Sequence, residues 1–478
     1  DLHSFPTRRS SDLPTDEIAP GGRVTALFCS SSGAFDSAYG MIKGMFKKSF
    51  EKKMIRYVRK FFADHADVKL IAVTGSAGKT SAKTAIATVL SQQFAVAMHA
   101  AEPTSHMQTL LQIMGVRYPE NRPEEKWGFW HRRKMMRAVK KRARAEHPEA
   151  HVIVQEFSPM QPGFNAWFQQ VILPDIAIVT SVTSGRMRVE YTVEEVAGEM
   201  LTLVNNARFA AINRDDIDGR FAAFLTNPQM TTYGTSEVAE YYFEQQDFSL
   251  EHGYVGKIIG PEYPDGIAVT LPLLGEHNLR PAVVAMLAGV RMGMTKELIE
   301  KGLSQLRPLP GRMQVLRGAD QTILIDDSYS SSPLTALSAL QTLYSLEVPQ
   351  RIVVLGNMNG LRKDTQAGHA ELGSQCSPDE LDWVVTVGEM ANQYLAPAAR
   401  RRGCQVKECR DALVAGGFVR EKLHAGGVAL FKGSSGGVWL EEAIKINLRS
   451  TDDENKLVRQ SRDWLKRKNE FFSRFTDK

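Results

Sequence analysis

The chain has 478 residues, 43% of them hydrophobic, enough for about three domains that each bury a core. Its formal net charge of +5 and pI ≈ 8.8 suit anionic small molecules, although nucleic-acid binders share this balance. Cys29, Cys376, Cys404 and Cys409 are scattered with no CxxC pair, which excludes zinc-ribbon spacing and a disulfide framework. No apolar run reaches the roughly 18 residues of a membrane span, and no signal peptide is visible. The expectation is a chain of the reducing cytoplasm.

Residues 1–20, DLHSFPTRRSSDLPTDEIAP, are polar and aperiodic and read as translated adapter sequence rather than as a folded element. Met41, Ile42, Met45, Phe46 and Phe50 recur at helical spacing with lysines between them, which predicts a helix within 34–64. KLIAVTG (69–75) reads as a buried strand ending in glycine, and SAKTAIATVLSQQF (81–94) as the helix after it. The cationic run HRRKMMRAVKKRARAEH (131–147) is either a solvated helix face or a helix turned toward an anion or a membrane surface. HVIVQEF (151–157), DIAIVT (175–180), FAAIN (209–213) and QMTTYG (229–234) read as strands, and 192–207 as a helix between two of them. The stretch 240–274 is short, polar and β-like, as a small antiparallel insertion would be.

PLPGR (308–312) reads as a hinge, because proline and glycine break both helix and strand. A second series follows: TILID (322–326), RIVVLG (351–356), WVVTVG (383–388) and VALFKG (428–433), each with a helix after it. The tail beyond Asn447 reads as a charged amphipathic helix. The fold class is therefore α/β. A short N-terminal helical region (1–67) precedes a central P-loop domain with a mostly parallel sheet (68–310) and a C-terminal Rossmann-like α/β domain (311–478).

The strongest local chemistry is TGSAGKTS (74–81), set between an apolar strand and a helix. Successive N–H groups of Gly75, Ser76, Ala77, Gly78, Lys79, Thr80 and Ser81 can cradle phosphate oxygens. Lys79, expected as a solvent-facing loop residue, can reach the β- and γ-phosphates, and the Thr80 hydroxyl can ligate Mg²⁺. ATP and Mg²⁺ are the cofactors this predicts. Glu156 ends its strand facing that loop, where a magnesium ion needs a carboxylate.

The short loop spacing, in the form TGSxGKT, resembles that of the Mur ligase family, and further motifs follow in order. VIVQEFSPMQPGF (152–164) resembles the family's strand with an acidic metal ligand. LPLLGEHN (271–278) resembles its Gly-x-His-Asn segment, LPGRM (309–313) its Leu-Pro-Gly-Arg hinge, and IDDSYSSSP (325–333) its Asp-Asp-x-Tyr stretch. VVLGNMNGL (353–361), GHAELG (368–373) and ALFKGSSGGVWLEEAI (429–444) resemble motifs of its third domain, with Asn357 and Ser435 where aspartate and arginine are usual.

The resemblance, over about residues 68–445, implies a cytoplasmic, monomeric, ATP-dependent amide ligase that forms an acyl phosphate. Its substrates would be small molecules: a nucleotide-linked peptide or another acid, and an amino acid or dipeptide. It implies no nucleic-acid partner and no membrane span. Within the family the motifs point toward the member that adds a dipeptide to a nucleotide-linked tripeptide; the few residues before the P-loop leave a glutamyl-chain acid open. A catalytically weakened ATP-binding homologue is a third reading. By the same resemblance His277, Asn278 and Arg312 order the nucleotide, Asp326, Asp327 and Tyr329 contact its ribose or metal water, and Lys432, Gly433 and Ser434 lie near the acceptor. Gly198 stands where the family has a carbamylated lysine, Arg186 where it has a histidine, and Pro281, Ser330 and Ser332 where it has asparagines. Arg186 is either a surface arginine in a degenerate site or a substitute for the second metal that acts in catalysis with Lys79, Glu156, His277 and Arg312.

Overall fold

The computed structural model describes residues 49–119, 124–159, 163–183 and 192–476. The chain divides into two compact units, Asp1–Glu51 and Lys52–Lys478, and everything below concerns the second. Residues 52–64 are helical, as the apolar spacing predicts; residues 34–48 and the first twenty lie outside the described residues.

Two six-stranded sheets dominate the second unit. The first comprises β1 (Lys69–Thr74), β2 (Val96–Met98), β3 (Val152–Glu156), β4 (Ile176–Val179), β5 (Phe209–Asn213) and β6 (Met230–Tyr233). Their order is β2-β3-β1-β4-β5-β6, and every pairing is parallel. β3 and β4 are buried along their whole length, as a parallel sheet covered on both faces requires. β1 sits where the order reverses, with β3 on one side and β4 on the other. A crevice opens there beyond the carboxyl ends of the strands, and the P-loop follows β1 into it.

The expected insertion is a three-stranded antiparallel meander, β7 (Tyr242–Ser249), β8 (Gly253–Gly260) and β9 (Tyr263–Leu271). The second large sheet comprises β10 (Gln314–Arg317), β11 (Ile323–Asp327), β12 (Arg351–Gly356), β13 (Trp383–Val387), β14 (Val406–Cys409) and β15 (Val428–Lys432). Its order is β10-β11-β15-β12-β13-β14, parallel except for β10. The carboxyl ends of β11 and β15 carry Asp327 and Lys432 side by side in register.

Candidate nucleotide-binding site

The P-loop closes tightly because its glycines permit it. Gly75 has φ 142°, and a Cβ there would meet the Thr180 hydroxyl at 2.1 Å. Gly78, in the left-handed region at φ 80°, turns the chain into the helix Lys79–Leu90. The flanking strand end fixes the rest: Ser76 N donates to Ser181 O (3.0 Å), Ala77 N to Ser181 Oγ (2.8 Å), and Ser76 Oγ to Thr183 O (2.9 Å).

Lys79 is not the solvent-facing loop residue the sequence suggested. It is the first residue of that helix and only 4% exposed. Its ammonium donates to Gly75 O at 2.9 Å and lies 3.3 Å from Glu102 and 3.8 Å from Glu156. Enclosure by the loop and two carboxylates explains the burial. Glu156, at the end of β3 and 2% exposed, accepts from the Thr80 hydroxyl at 3.3 Å.

Two residues missed in the sequence complete this half. Lys83, 1% exposed, approaches Glu156 at 3.1 Å and donates to His99 O at 2.8 Å. It lies one turn beyond Lys79 on the same helix face, a spacing visible in the sequence. Glu102, which also accepts from Ser158 Oγ at 2.6 Å, lies in the loop after β2. That strand has three residues and is only partly buried, so no alternation announced it.

A cleft joins the P-loop to the second sheet. Gly78, Lys79, Thr80, Glu156, His277, Asn278, Arg312, Asp327, Tyr329 and Lys432 line it, so the structure brings most of the expected residues together. Burial, with Lys432 and Arg280 nearby, pushes the His277 imidazole down to about 3, so it is neutral at physiological pH. Arg312 stacks its guanidinium 4.3 Å over the Tyr329 ring, and Tyr329 N donates to Gly311 O at 3.1 Å, tying the 308–312 loop to the site loop. Asp327, raised by burial against the pull of Lys432, pairs with that lysine at 2.8 Å. Arg280 spans Asp215 (2.8 Å) and Asp216 (2.6 Å) at the first sheet's wall.

Besides Gly75, whose carbonyl accepts from the Lys79 ammonium, three expected contact residues do not line the cleft. Asp326 is fully buried on the opposite face of β11 from Asp327, as strand alternation dictates, and burial pushes its carboxyl up to about 6. Gly433 lies against Leu440, where a Cβ would come within 2.9 Å. Ser434 accepts from Asn359 N at 2.8 Å and donates to Ser331 O at 3.3 Å, bracing the wall from behind. Asn357 accepts from Ala391 N at 2.9 Å and so serves the helical segment that follows β13. His369 accepts from Met358 N at 2.9 Å, which leaves its proton on Nδ1 toward Thr365 O. Pro281, Ser330 and Ser332 do line the cleft. Gly198 lies in the helix Val193–Asn205 with nothing within 4 Å of a Cβ, so packing does not demand glycine there. Arg186 lies outside the described residues.

The remote tail holds the second half of the cleft in place. Arg459 donates to Ser328 O (2.8 Å) and Tyr329 O (3.3 Å) while gripping the fully buried Glu441 with two bonds of 2.8 and 2.6 Å. Lys468, on the C-terminal helix Arg462–Thr476, reaches Glu441 at 2.9 Å.

A P-loop facing an arginine from the 308–312 loop and an aspartate and a lysine from a second α/β sheet defines a nucleotide-dependent transferase or ligase architecture. Residues 73–289 match the Mur ligase middle domain and residues 311–435 the Mur ligase glutamate ligase domain, and the chain belongs to the Mur ligase family. It is 27% identical over 402 residues to the UDP-N-acetylmuramoyl-tripeptide–D-alanyl-D-alanine ligase of Bacillus subtilis, covering 83% of this chain and 79% of that one. With the Escherichia coli ligase of the same name it shares 24% over 332 residues, 68% of this chain and 65% of that one. The fold is similar to a MurF structure from Acinetobacter baumannii (TM-score 0.65, 18% identity, 82% and 79% coverage). It is also similar to the MurF ligase of Thermotoga maritima in complex with ADP (TM-score 0.63, 17% identity, 83% and 82% coverage).

Proposed function

We propose that the chain is an ATP-dependent peptide ligase that joins D-alanyl-D-alanine to UDP-N-acetylmuramoyl-tripeptide. The observation that carries this reading is the cleft that faces Lys79, Thr80 and Glu156 with Arg312, Asp327 and Lys432. The substrate assignment rests on the names of the relatives. A substrate carboxylate oxygen attacks the γ-phosphorus, ADP leaves, and an acyl phosphate forms. The amine then attacks the acyl carbon through a tetrahedral intermediate, phosphate leaves, and the amine's protons pass to solvent.

Each step is a matter of position and charge rather than of covalent help from the protein. P-loop N–H groups and the Lys79 ammonium hold the β- and γ-phosphates. Arg312, kept flat by Tyr329, grips phosphate oxygens from the opposite wall. Neutral His277 and Asn278 order the nucleotide by hydrogen bonding. Thr80 Oγ1 and Glu156 Oε2 place two hard oxygens side by side, which fits magnesium bound by one carboxylate and the nucleotide's own phosphates. When bound there, the ion supplies positive charge against the developing phosphoryl charge. Among the described residues no group of three His, Cys, Asp or Glu forms a separate metal cluster. The loop 308–312 serves as the hinge between a central and a C-terminal domain that close over ATP and exclude water from the acyl phosphate.

The test is ADP release with a panel of acids and amines. The reading expects turnover with UDP-N-acetylmuramoyl-tripeptide only when D-alanyl-D-alanine is present, and a fall of about 10²–10³ in kcat for Lys79→Met. Turnover with a glutamyl-chain acid instead would reassign the substrate. ATP binding without turnover on any acid would leave a nucleotide-binding homologue.

A further inference from the structure

The cationic run between β2 and β3 contributes nothing to the cleft. It folds as the helix Phe129–Arg142, held to the body by buried Met135 and Val139 and by Arg132, which donates to Glu124 O and Trp127 O. At about 100° per residue, Trp130, Arg133, Lys134, Arg137, Lys140 and Lys141 share the opposite face. All six are exposed, Trp130 by 75%, and Phe129 beside it by 60%. Arg142 in the last turn pairs with Glu149, but among the described residues no ion pair holds the five cations of that face.

The charge is local. Residues 129–144 contain eight Lys and Arg and no Asp or Glu, so that without this stretch the chain's +5 becomes −3. The chain's mildly basic balance thus depends on such cationic stretches, and this one is tipped by two exposed aromatic rings. Clusters of roughly four to eight Lys or Arg on a helix with exposed aromatics are suited to anionic lipid headgroups, the cations meeting phosphates and the rings entering the interface. Among the described residues no helix is long and apolar enough to cross a membrane, so such contact is peripheral. Nucleic acid fits less well. The face carries no Asn, Gln, Ser or Thr to read base edges, and its aromatics cluster at one end instead of alternating with cations along the strip.

We propose that this face docks the protein reversibly on an anionic phospholipid surface, with Phe129 and Trp130 inserted at the headgroup level. The test sediments the full chain with phosphatidylcholine vesicles and with vesicles that also contain phosphatidylglycerol. Binding is expected only to the anionic vesicles and weakens with salt. Combined Arg137→Glu, Lys140→Glu and Lys141→Glu lowers it by more than about tenfold. Phe129→Ala with Trp130→Ala lowers it by a smaller factor and abolishes a blue shift in tryptophan emission. Both variants keep the unfolding temperature and the ADP release of the parent, since they alter exposed side chains away from the cleft. Equal binding to neutral vesicles, no binding to either, or no effect of charge reversal overturns the proposal. So does tighter binding to a single-stranded oligonucleotide than to anionic vesicles, lost in the same charge-reversal variant, which would assign the strip to nucleic acid.

Discussion

The two walls of the cleft are built in different ways. The P-loop wall is largely contiguous: residues 75–81 and Lys83 follow one strand and one helix, and their partners Glu156, Thr180 and Ser181 end the two neighbouring strands. The opposite wall is gathered from the loop at Arg312, the loop after β11, the loop after β12 and the end of β15, and is fastened by Arg459, 131 residues beyond Ser328. A wall of the first kind depends on its own neighbourhood. A wall of the second kind depends on parts that touch no substrate.

This contrast can be broken by substitution. The largest effect is expected at the buried ion pairs. Lys83→Met leaves Glu156 with the longer ion pair to Lys79 and the Thr80 hydroxyl, and should cost about 3 kcal/mol of stability by chemical denaturation. Arg459→Met should cost a similar roughly 3 kcal/mol, since Glu441 is fully buried and keeps only Lys468. The two should part in kinetics measured at a temperature where both are folded. Arg459→Met releases Ser328 and Tyr329 and should raise the KM for ATP from a site remote in sequence. An unchanged KM would mean the loop after β11 stands without the tail.

A smaller effect should appear with pH. Asp326, pushed up to about 6 by burial, binds its proton more tightly folded than unfolded. Its contribution therefore favours the fold at acid pH and is lost as pH rises from about 4 through about 6, an effect of order 2–3 kcal/mol. Asp326→Asn should flatten that fall, so the stability difference between variant and parent grows over this window and is constant above it. A difference independent of pH would place the ionisation elsewhere. The smallest effect belongs to Gly198. With open space at its Cβ and helical backbone around it, Gly198→Ala should stabilise the chain by about 0.5–1 kcal/mol without altering turnover.

The same contrast explains what could be read in the sequence. The parallel sheets, the antiparallel insertion and the P-loop were legible because each is a local pattern: buried runs, alternation, and a glycine-lysine turn between strand and helix. β2, β10 and β14 were not, being edge strands of three or four residues without a continuous buried run. Arg312, Asp327 and Lys432 could be proposed from motif resemblance, but their convergence is a property of the fold. The separation of Asp326 from Asp327 was available from strand alternation alone. Lys79 was misjudged because a loop lysine ordinarily faces water, whereas here two carboxylates from other elements enclose it. The roles of Glu441, Arg459 and Lys468 had no local signal, since a charged tail reads as solvated whether or not it packs.

On the proposed mechanism the cleft transfers the γ-phosphoryl group to a carboxylate before the amide bond forms, an order that isotopic labelling can follow. It is tested most directly by supplying UDP-N-acetylmuramoyl-tripeptide with heavy oxygen in the reacting carboxylate, together with ATP and D-alanyl-D-alanine, and weighing the phosphate released. An acyl phosphate carries one carboxylate oxygen away, so each phosphate should contain one heavy atom. Peptide product accompanied by unlabelled phosphate would contradict the account.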